Sequence, residues 1–163
     1  MKLTLLVKLA PTPEQHQALL ETMERFNEAC NDIAEVAYKN RLANKWALHK
    51  LVYYRIREQY GLSAQMTVRA ISKVVEAYKR DKGIKPSFNP HGAMVYDEQI
   101  LSWNGLEHAS ILTLKGRELV PIRIGEYQKA RMDRLRGQAD LLIRGGVFYL
   151  AATIDAPEET PYD

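Results

Sequence analysis

Residues 2–15, KLTLLVKLAPTPEQ, decide the fold, because they join a lone strand to the start of a helix. Apolar residues recur at every second position, a period typical of a half-buried strand. The positions expected to face the core are Leu3, Leu5, Val7 and Leu9. Thr12 precedes Pro13 and stands three residues before Gln15, which predicts a helix that begins with a capping box. A single strand is not stable alone, so this one must pair with strands later in the chain.

Three helical patterns follow. The first has a narrow apolar stripe at alternating spacings of four and three, which is typical of a helix seated against other helices. The stripe consists of Leu19, Met23, Phe26, Cys30, Ile33 and Ala37. A second helix is predicted over 45–60, ended by Gly61, and a third over 64–80, capped by Ser63.

From Ser87 onward the pattern changes to short strand-like runs separated by turns. The runs are AMVY, QILSW, ASILTL, ELVPIRI, ADLLI and VFYLAATI, with a short helix predicted over 126–134. Gly145–Gly146 and Lys115–Gly116 predict hairpin turns. The predicted fold class is therefore α+β, a small antiparallel β-barrel or sandwich with an inserted three-helix bundle. The expected division is a first strand in 1–11, a helical insertion in 12–83, the rest of the β domain in 84–155 and a linker in 156–163.

Positive charge is concentrated in the middle of the chain. Residues 38–85 carry twelve basic and three acidic side chains, whereas 1–37 carry three and six and 86–163 carry eight and eleven. The middle segment is thus +9 and each flank −3, within a net charge of +3. Segregated positive charge attracts polyanions and favours counterion release from nucleic acid. The alternative is a set of solvated helices whose Lys and Arg stems cover apolar surface.

Aromatic residues are interleaved with these cations, which suits stacking on unpaired bases while the charges follow phosphates. They are Tyr38, Trp46, Tyr53, Tyr54, Tyr60 and Tyr78, for which helical core is the alternative. Gln65, Arg69 and Ser72 share one stripe, and Gln and Arg can read base edges; an ordinary solvated face is the alternative. The predicted nucleic-acid-binding residues are Tyr38, Lys50, Tyr53, Arg57, Gln65, Arg69, Ser72, Lys73, Lys79, Arg80, Arg123 and Arg131.

The sequence contains no recognisable catalytic or metal-binding motif. The four histidines lie far apart without metal-ligand spacing, and no GxSxG elbow occurs. Cys30 is the only cysteine and lies on the apolar stripe, which indicates a buried hydrophobe and a reducing, cytoplasmic environment. No apolar run approaches the roughly 20 residues of a membrane helix. We therefore expect no enzymatic activity, cofactor or metal in this chain.

Residues 51–80, LVYYRIREQYGLSAQMTVRAISKVVEAYKR, resemble the recognition portion of the TnpB (OrfB) family. These are transposon-encoded RNA-guided nucleases related to type V CRISPR effectors. Residues 141–163, LLIRGGVFYLAATIDAPEETPYD, resemble the family's last barrel strand and the linker to its RuvC-like nuclease domain. The stretch LTLLVKLAPTPEQ is similar to the family's first strand. The resemblance covers almost the whole chain, in order, and none of its motifs is a catalytic signature.

The resemblance implies a wedge domain, an oligonucleotide-binding-type barrel, with an inserted three-helix recognition lobe. Together they would hold guide RNA and target double-stranded DNA and read a short flanking motif, while base pairing supplies sequence specificity. The residues that it places in the region holding flanking DNA are Tyr38, Gln65, Arg69, Ser72 and Lys73. The metal ligands of the nuclease, and the zinc-binding cysteines that usually accompany them, would belong to a domain after APEETPYD. Magnesium and zinc are thus expected only there.

The leading hypothesis is a nucleic-acid-binding module of a TnpB-like RNA-guided DNA endonuclease, without its catalytic domain, acting at the nucleoid in transposition. One alternative is a natural nuclease-free DNA-binding protein of a repressor-like kind. Another is a protein-interaction module whose helix stripe docks a partner helix.

Overall fold

The first strand is central to a seven-stranded sheet in the computed structural model, which describes residues 2–135 and 138–155. The strands are β1 (Lys2–Leu9), β2 (Met94–Tyr96), β3 (Leu101–Asn104), β4 (His108–Thr113), β5 (Gly116–Arg123), β6 (Ala139–Arg144) and β7 (Val147–Asp155). Their order is β2-β6-β7-β1-β5-β4-β3, and all pairings are antiparallel. β1 pairs with β7 from Lys2 to Lys8 and with β5 at Lys8 and Leu9. The first strand therefore pairs with later ones, as predicted.

The sheet curls into a nearly closed barrel. Tyr96, at the end of edge strand β2, is fully buried, and its hydroxyl donates to the Leu112 carbonyl of β4 at 2.8 Å. The barrel interior contains alternate residues of β1, because Leu5, Val7 and Leu9 are at most 2% exposed. Leu3 is only half-buried. The predicted α+β class, a small barrel with a helical insertion, is confirmed.

The helical insertion lies between β1 and β2, and its second and third helices have the predicted bounds. It consists of α1 (Pro13–Asn40), α2 (Lys45–Tyr60) and α3 (Ala64–Arg80). The capping box is confirmed, since the Gln15 amide donates to Thr12 Oγ1 at 3.2 Å and the Thr12 amide donates to Gln15 Oε1 at 3.0 Å. The Gln15 side chain also donates to the Leu119 carbonyl, which fixes the start of α1 against β5. All six residues of the predicted apolar stripe of α1 are fully buried.

A return segment, residues 81–93, runs back along α1 from the end of α3 to β2. Lys85 forms an ion pair with Glu35 at 2.5 Å. Asn31 exchanges two hydrogen bonds with the backbone of Phe88, and Asn27 donates to the Gly92 carbonyl at 2.9 Å. Polar side chains of α1 thus satisfy backbone groups of a segment that has no regular structure of its own.

The helix predicted over 126–134 is shorter than expected. A four-residue α4 (Glu126–Lys129) is followed by a 3-10 turn (Met132–Arg134). The backbone leaves the helical path at Arg131, and only Met132 of the two elements is buried, so little packing holds a longer helix here. The predicted linker, 156–163, lies outside the described residues. Of the helices described, none is long and apolar enough to cross a membrane.

Candidate nucleic-acid interface

The three inserted helices run up, down and up, so α1 and α3 end where α2 begins. The rings of Tyr38 and Tyr78, near the ends of α1 and α3, meet edge to face with centroids 6.3 Å apart. The connection from α1 to α2 is only residues 41–44. We call residues 38–45 and 78–82 the distal end of the bundle. About 42 Å of helix separates it from Thr12, where α1 leaves the barrel.

The distal end is rich in exposed cations. They are Lys39, Arg41, Lys45, Lys79, Arg80 and Lys82. Within residues 2–135 and 138–155, none of them forms an ion pair. Some have a local role, since cations stabilise the carboxyl ends of helices such as α1 and α3. Asp81 is the acidic residue of the distal end, and its carboxylate accepts a hydrogen bond from the Gly83 amide. The charge that remains creates a positive potential suited to a polyanion.

The solvent-facing side of α2 carries large aromatic rings between cations. Trp46 is 78% and Tyr54 80% exposed. Lys50 lies between them along the helix, and Arg57 one turn beyond, with its guanidinium carbon 6.0 Å from the centre of the Tyr53 ring. These residues lie outside the buried side of α2, which consists of Leu48, Val52, Ile56 and Tyr60. The arrangement presents flat rings and phosphate-binding charges on one helix face.

Tyr53 is less accessible than its two aromatic neighbours. The His49 ring stacks on it with centroids 4.4 Å apart and an interplanar angle of 11°. The Tyr54 ring meets it edge to face at 5.1 Å. Since one face of Tyr53 is covered by His49, Trp46 and Tyr54 are better placed to stack on a base.

The structure turns Gln65 and Arg69 toward the barrel. Gln65 Nε2 donates to Asp97 Oδ2, and Arg69 Nε lies 2.9 Å from the same oxygen. Asp97 follows β2, is 8% exposed, and its Oδ1 accepts from the Gln99 amide at 3.0 Å. The two side chains therefore link α3 to the β2–β3 connection. They do not form the ordinary solvated helix face that was the alternative interpretation. Base reading by them stays a prediction, and it requires them to leave Asp97.

Lys73 is also engaged within the protein. Its ammonium donates to the Ala93 carbonyl and lies 3.3 Å from Asn27 Oδ1. It also lies 5.5 Å from the centre of the Phe26 ring and 5.3 Å from that of Phe88. Burial lowers the pKa of Lys73. These contacts tie α3 to α1 and the return segment, so a phosphate could reach Lys73 only by displacing them.

Other predicted residues are dispersed. Ser72 Oγ is buried and has no hydrogen-bond partner among the described residues. Arg131 lies over the Tyr127 ring, its guanidinium carbon 3.6 Å from the ring centre, and donates to the Tyr127 carbonyl. Arg123 is exposed at the end of β5. The structure thus brings Lys50, Tyr53 and Arg57 together on α2. It brings Tyr38, Lys79 and Arg80 together at the distal end. The other six predicted residues lie elsewhere.

Asp32 forms hydrogen bonds with two residues of the basic segment, Arg55 and Tyr60. Arg55 donates to both its oxygens, at 2.7 and 3.0 Å, and the Tyr60 hydroxyl donates at 2.7 Å. The hydrogen bond from Arg55 is the main reason that the pKa of Asp32 lies below its usual value. Burial, together with the bond to Asp32, raises the pKa of Tyr60 to about 12.

The described residues contain no group of three or more His, Cys, Asp or Glu side chains that could hold a metal ion. Cys30 is fully buried between α1 and α3, with Sγ 3.9 Å from the Ala70 carbonyl oxygen. Burial raises the pKa of its thiol to about 12, so the thiolate that a nucleophile needs does not form near neutral pH. Its predicted position in the apolar stripe is confirmed.

The predicted nucleic-acid-binding residues do not include Trp46 and Tyr54, although both are aromatic residues interleaved with cations. Their eight-residue separation places them within about 80° of each other around the helix and outside its apolar side, a signal that helical periodicity could have given. No protein-family model matches this chain, and no curated protein is significantly similar to it.

Proposed function

We propose that this chain binds nucleic acid through its helical insertion, as the guide-RNA- and target-DNA-holding module of a TnpB-like RNA-guided endonuclease, and has no catalytic role of its own. The observation that carries the proposal is the set of exposed cations on the distal end and the outer face of α2 that form no ion pair with a described residue. Twelve basic side chains lie in residues 38–85. Arg55, Arg69 and Lys85 are paired with carboxylates, and Lys73 is half-buried.

Eight cations of the segment remain exposed and form no ion pair with a described residue. They are Lys39, Arg41, Lys45, Lys50, Arg57, Lys79, Arg80 and Lys82. Exposed charges separated by less than a Debye length, about 8 Å at physiological salt, reinforce one another's potential. A strand of phosphates is the ligand whose charge density matches such a surface, because each neutralised phosphate releases counterions.

The aromatic rings of α2 favour a nucleic acid with accessible bases. Stacking of a base on an aromatic side chain contributes roughly 1–3 kcal/mol and tolerates any sequence. Trp46 and Tyr54 have the exposure that such stacking needs. This supports an RNA ligand, or an opened DNA strand, beside the phosphate contacts of the distal end.

Anisotropy titrations of labelled single-stranded RNA and duplex DNA, at about 50 and about 200 mM salt, test the proposal. Replacing Lys39, Lys79 and Arg80 together by Gln is expected to weaken binding of both ligands and to reduce the salt slope by about one per lost contact. Lys85→Gln is the matched control, since Lys85 belongs to the same segment but is paired with Glu35. If the protein binds neither RNA nor DNA, or if the affinity does not change with salt concentration, the proposal is refuted.

A protein-interaction module is the second candidate. The exposed Leu51, one turn before the exposed Tyr54 on α2, favours it, because exposed apolar clusters mark protein contacts. That function predicts self-association or partner binding that is insensitive to salt, together with loss of the interaction on Leu51→Ser. A nuclease-free DNA-binding relative would share the binding surface, and is distinguished by whether the reading frame continues into a nuclease domain.

A further inference from the structure

Two cations face each other across neighbouring strands of the barrel. Lys8 of β1 is in register with Arg123 of β5, and both are exposed. Directly opposed residues of an antiparallel pair project from the same face of the sheet, and like charges placed there destabilise it. Neither Lys8 nor Arg123 forms an ion pair with any residue that the structure describes.

The other end of β1 shows the usual arrangement. Lys2 is in register with Asp155 of β7, and its Nζ lies 2.9 Å from Asp155 Oδ1. The same strand thus has one cation opposed by an acid and one opposed by a cation. A local conflict that the protein leaves uncompensated is typical of a functional site, where a ligand supplies the missing charge.

Arg123 stands where two surface pockets adjoin. It lines a pocket of about 270 Å³ together with Lys8 and His16, and a pocket of about 420 Å³ together with His108 and Lys129. Buried Phe148 lines the smaller pocket, and Glu107 is the acid that lines the larger one. Among the described residues, the ion-pair partner of Lys129 is Glu126, at 3.7 Å. Both side chains are exposed, so this pair is weak and can be exchanged for another anion.

We propose that Lys8, Arg123 and Lys129 form a second polyanion-binding groove, on the barrel, which holds consecutive phosphates of a nucleic-acid backbone. The inference rests on the proposed function and adds to it a surface that the charge count did not indicate, because residues 86–163 carry a net negative charge. The three cations are spread along two adjoining pockets, so a chain of phosphates fits them better than a single anion. Binding of the backbone then relieves the repulsion within the opposed pair.

The test compares wild type, a Lys8→Gln/Arg123→Gln double variant and the control Lys2→Gln, which alters a paired cation of the same strand. Anisotropy titrations with labelled single-stranded RNA and duplex DNA at about 50 and about 200 mM salt give affinity and salt slope. Thermal unfolding without ligand gives stability. The double variant is expected to bind roughly tenfold or more weakly, with a salt slope reduced by about two. Its unfolding midpoint is expected not to fall, because a repulsion is removed.

Each outcome separates this groove from the helical surface. If the double variant keeps its affinity and slope while Lys39/Lys79/Arg80 substitution weakens binding, the groove is refuted and the proposed function stands. A fall in both binding and unfolding midpoint would mean that Lys8 and Arg123 are structural, and also overturns the groove. If only the groove variant weakens binding, the groove stands and the helical surface does not. If wild type binds neither ligand, both proposals fail.

Discussion

Asp97 is expected to be the main polar link between the helical insertion and the barrel, and its substitution tests that. Its carboxylate, whose side chain is 11% exposed, contacts Gln65, Arg69 and the Gln99 amide. Asp97→Asn keeps an oxygen that can accept from the Gln99 amide, but it loses the negative charge that holds Gln65 and Arg69. Hydrogen bonds to charged groups contribute about 1.5–3 kcal/mol each. The Arg69 side chain is 29% exposed and regains water when released, so we expect a loss of about 2 kcal/mol in the free energy of unfolding.

Urea unfolding, followed by circular dichroism, measures this loss. With an m value of about 2 kcal/mol/M, the midpoint should fall by about 1 M. Glu98→Gln is the control, because Glu98 is the adjacent acid, is exposed and has no ion pair among the described residues. A double-mutant cycle with Arg69→Met should give a coupling of about 1 kcal/mol, since the two residues contact each other directly. A midpoint shift for Asp97→Asn no larger than that of Glu98→Gln would refute the argument.

Two further changes test contacts within the helical insertion. The folded-state pKa of Asp32 lies below its unfolded value of about 3.9. The contribution of Asp32 to the free energy of unfolding is therefore complete above the unfolded pKa and is lost as the pH falls through the folded-state pKa. The difference in unfolding free energy between wild type and Asp32→Asn should therefore shrink from neutral to strongly acidic pH, and a constant difference would contradict the role of the Arg55 bond. Lys73→Ala is expected to lower the unfolding free energy by about 2 kcal/mol, because it leaves Asn27 Oδ1 and the Ala93 carbonyl without their donor. Lys79→Ala should change it by less than about 0.5 kcal/mol. Equal urea midpoints for these two variants would show that the burial of Lys73 does not matter.

Local signals in the sequence were sufficient for the starts of α1 and α3 and for the end of α2. Thr12 with Gln15, Gly61 and Ser63 each act within one turn of their own position, and the structure has each in its predicted role. Gly145 and Gly146 both adopt positive φ angles in the β6–β7 turn, a conformation that glycine accepts without strain. Such features depend on few neighbours in the chain and can be read without knowing the fold.

Local signals in the sequence could not show which part of the protein a polar helix face contacts. Periodicity places Gln65 and Arg69 on one stripe, but only the fold brings Asp97 to face them. Likewise, the conflict between Lys8 and Arg123 depends on the register of strands more than a hundred residues apart in sequence. Charge counted along the chain points to the helical insertion and not to Lys8, Arg123 and Lys129, because acidic residues outnumber cations in 1–37 and in 86–163.

The pairing of β1 with β7 also bears on how the protein is made. Residues 2–7 have their strand partners in residues 150–155, so the barrel cannot be completed until β7 has emerged from the ribosome. Helices α1, α2 and α3, whose mutual contacts all lie within residues 13–80, can begin to associate much earlier. Until β7 has been synthesised, most of β1 is an unpaired apolar strand, and we expect this interval to be when the nascent chain most depends on chaperones.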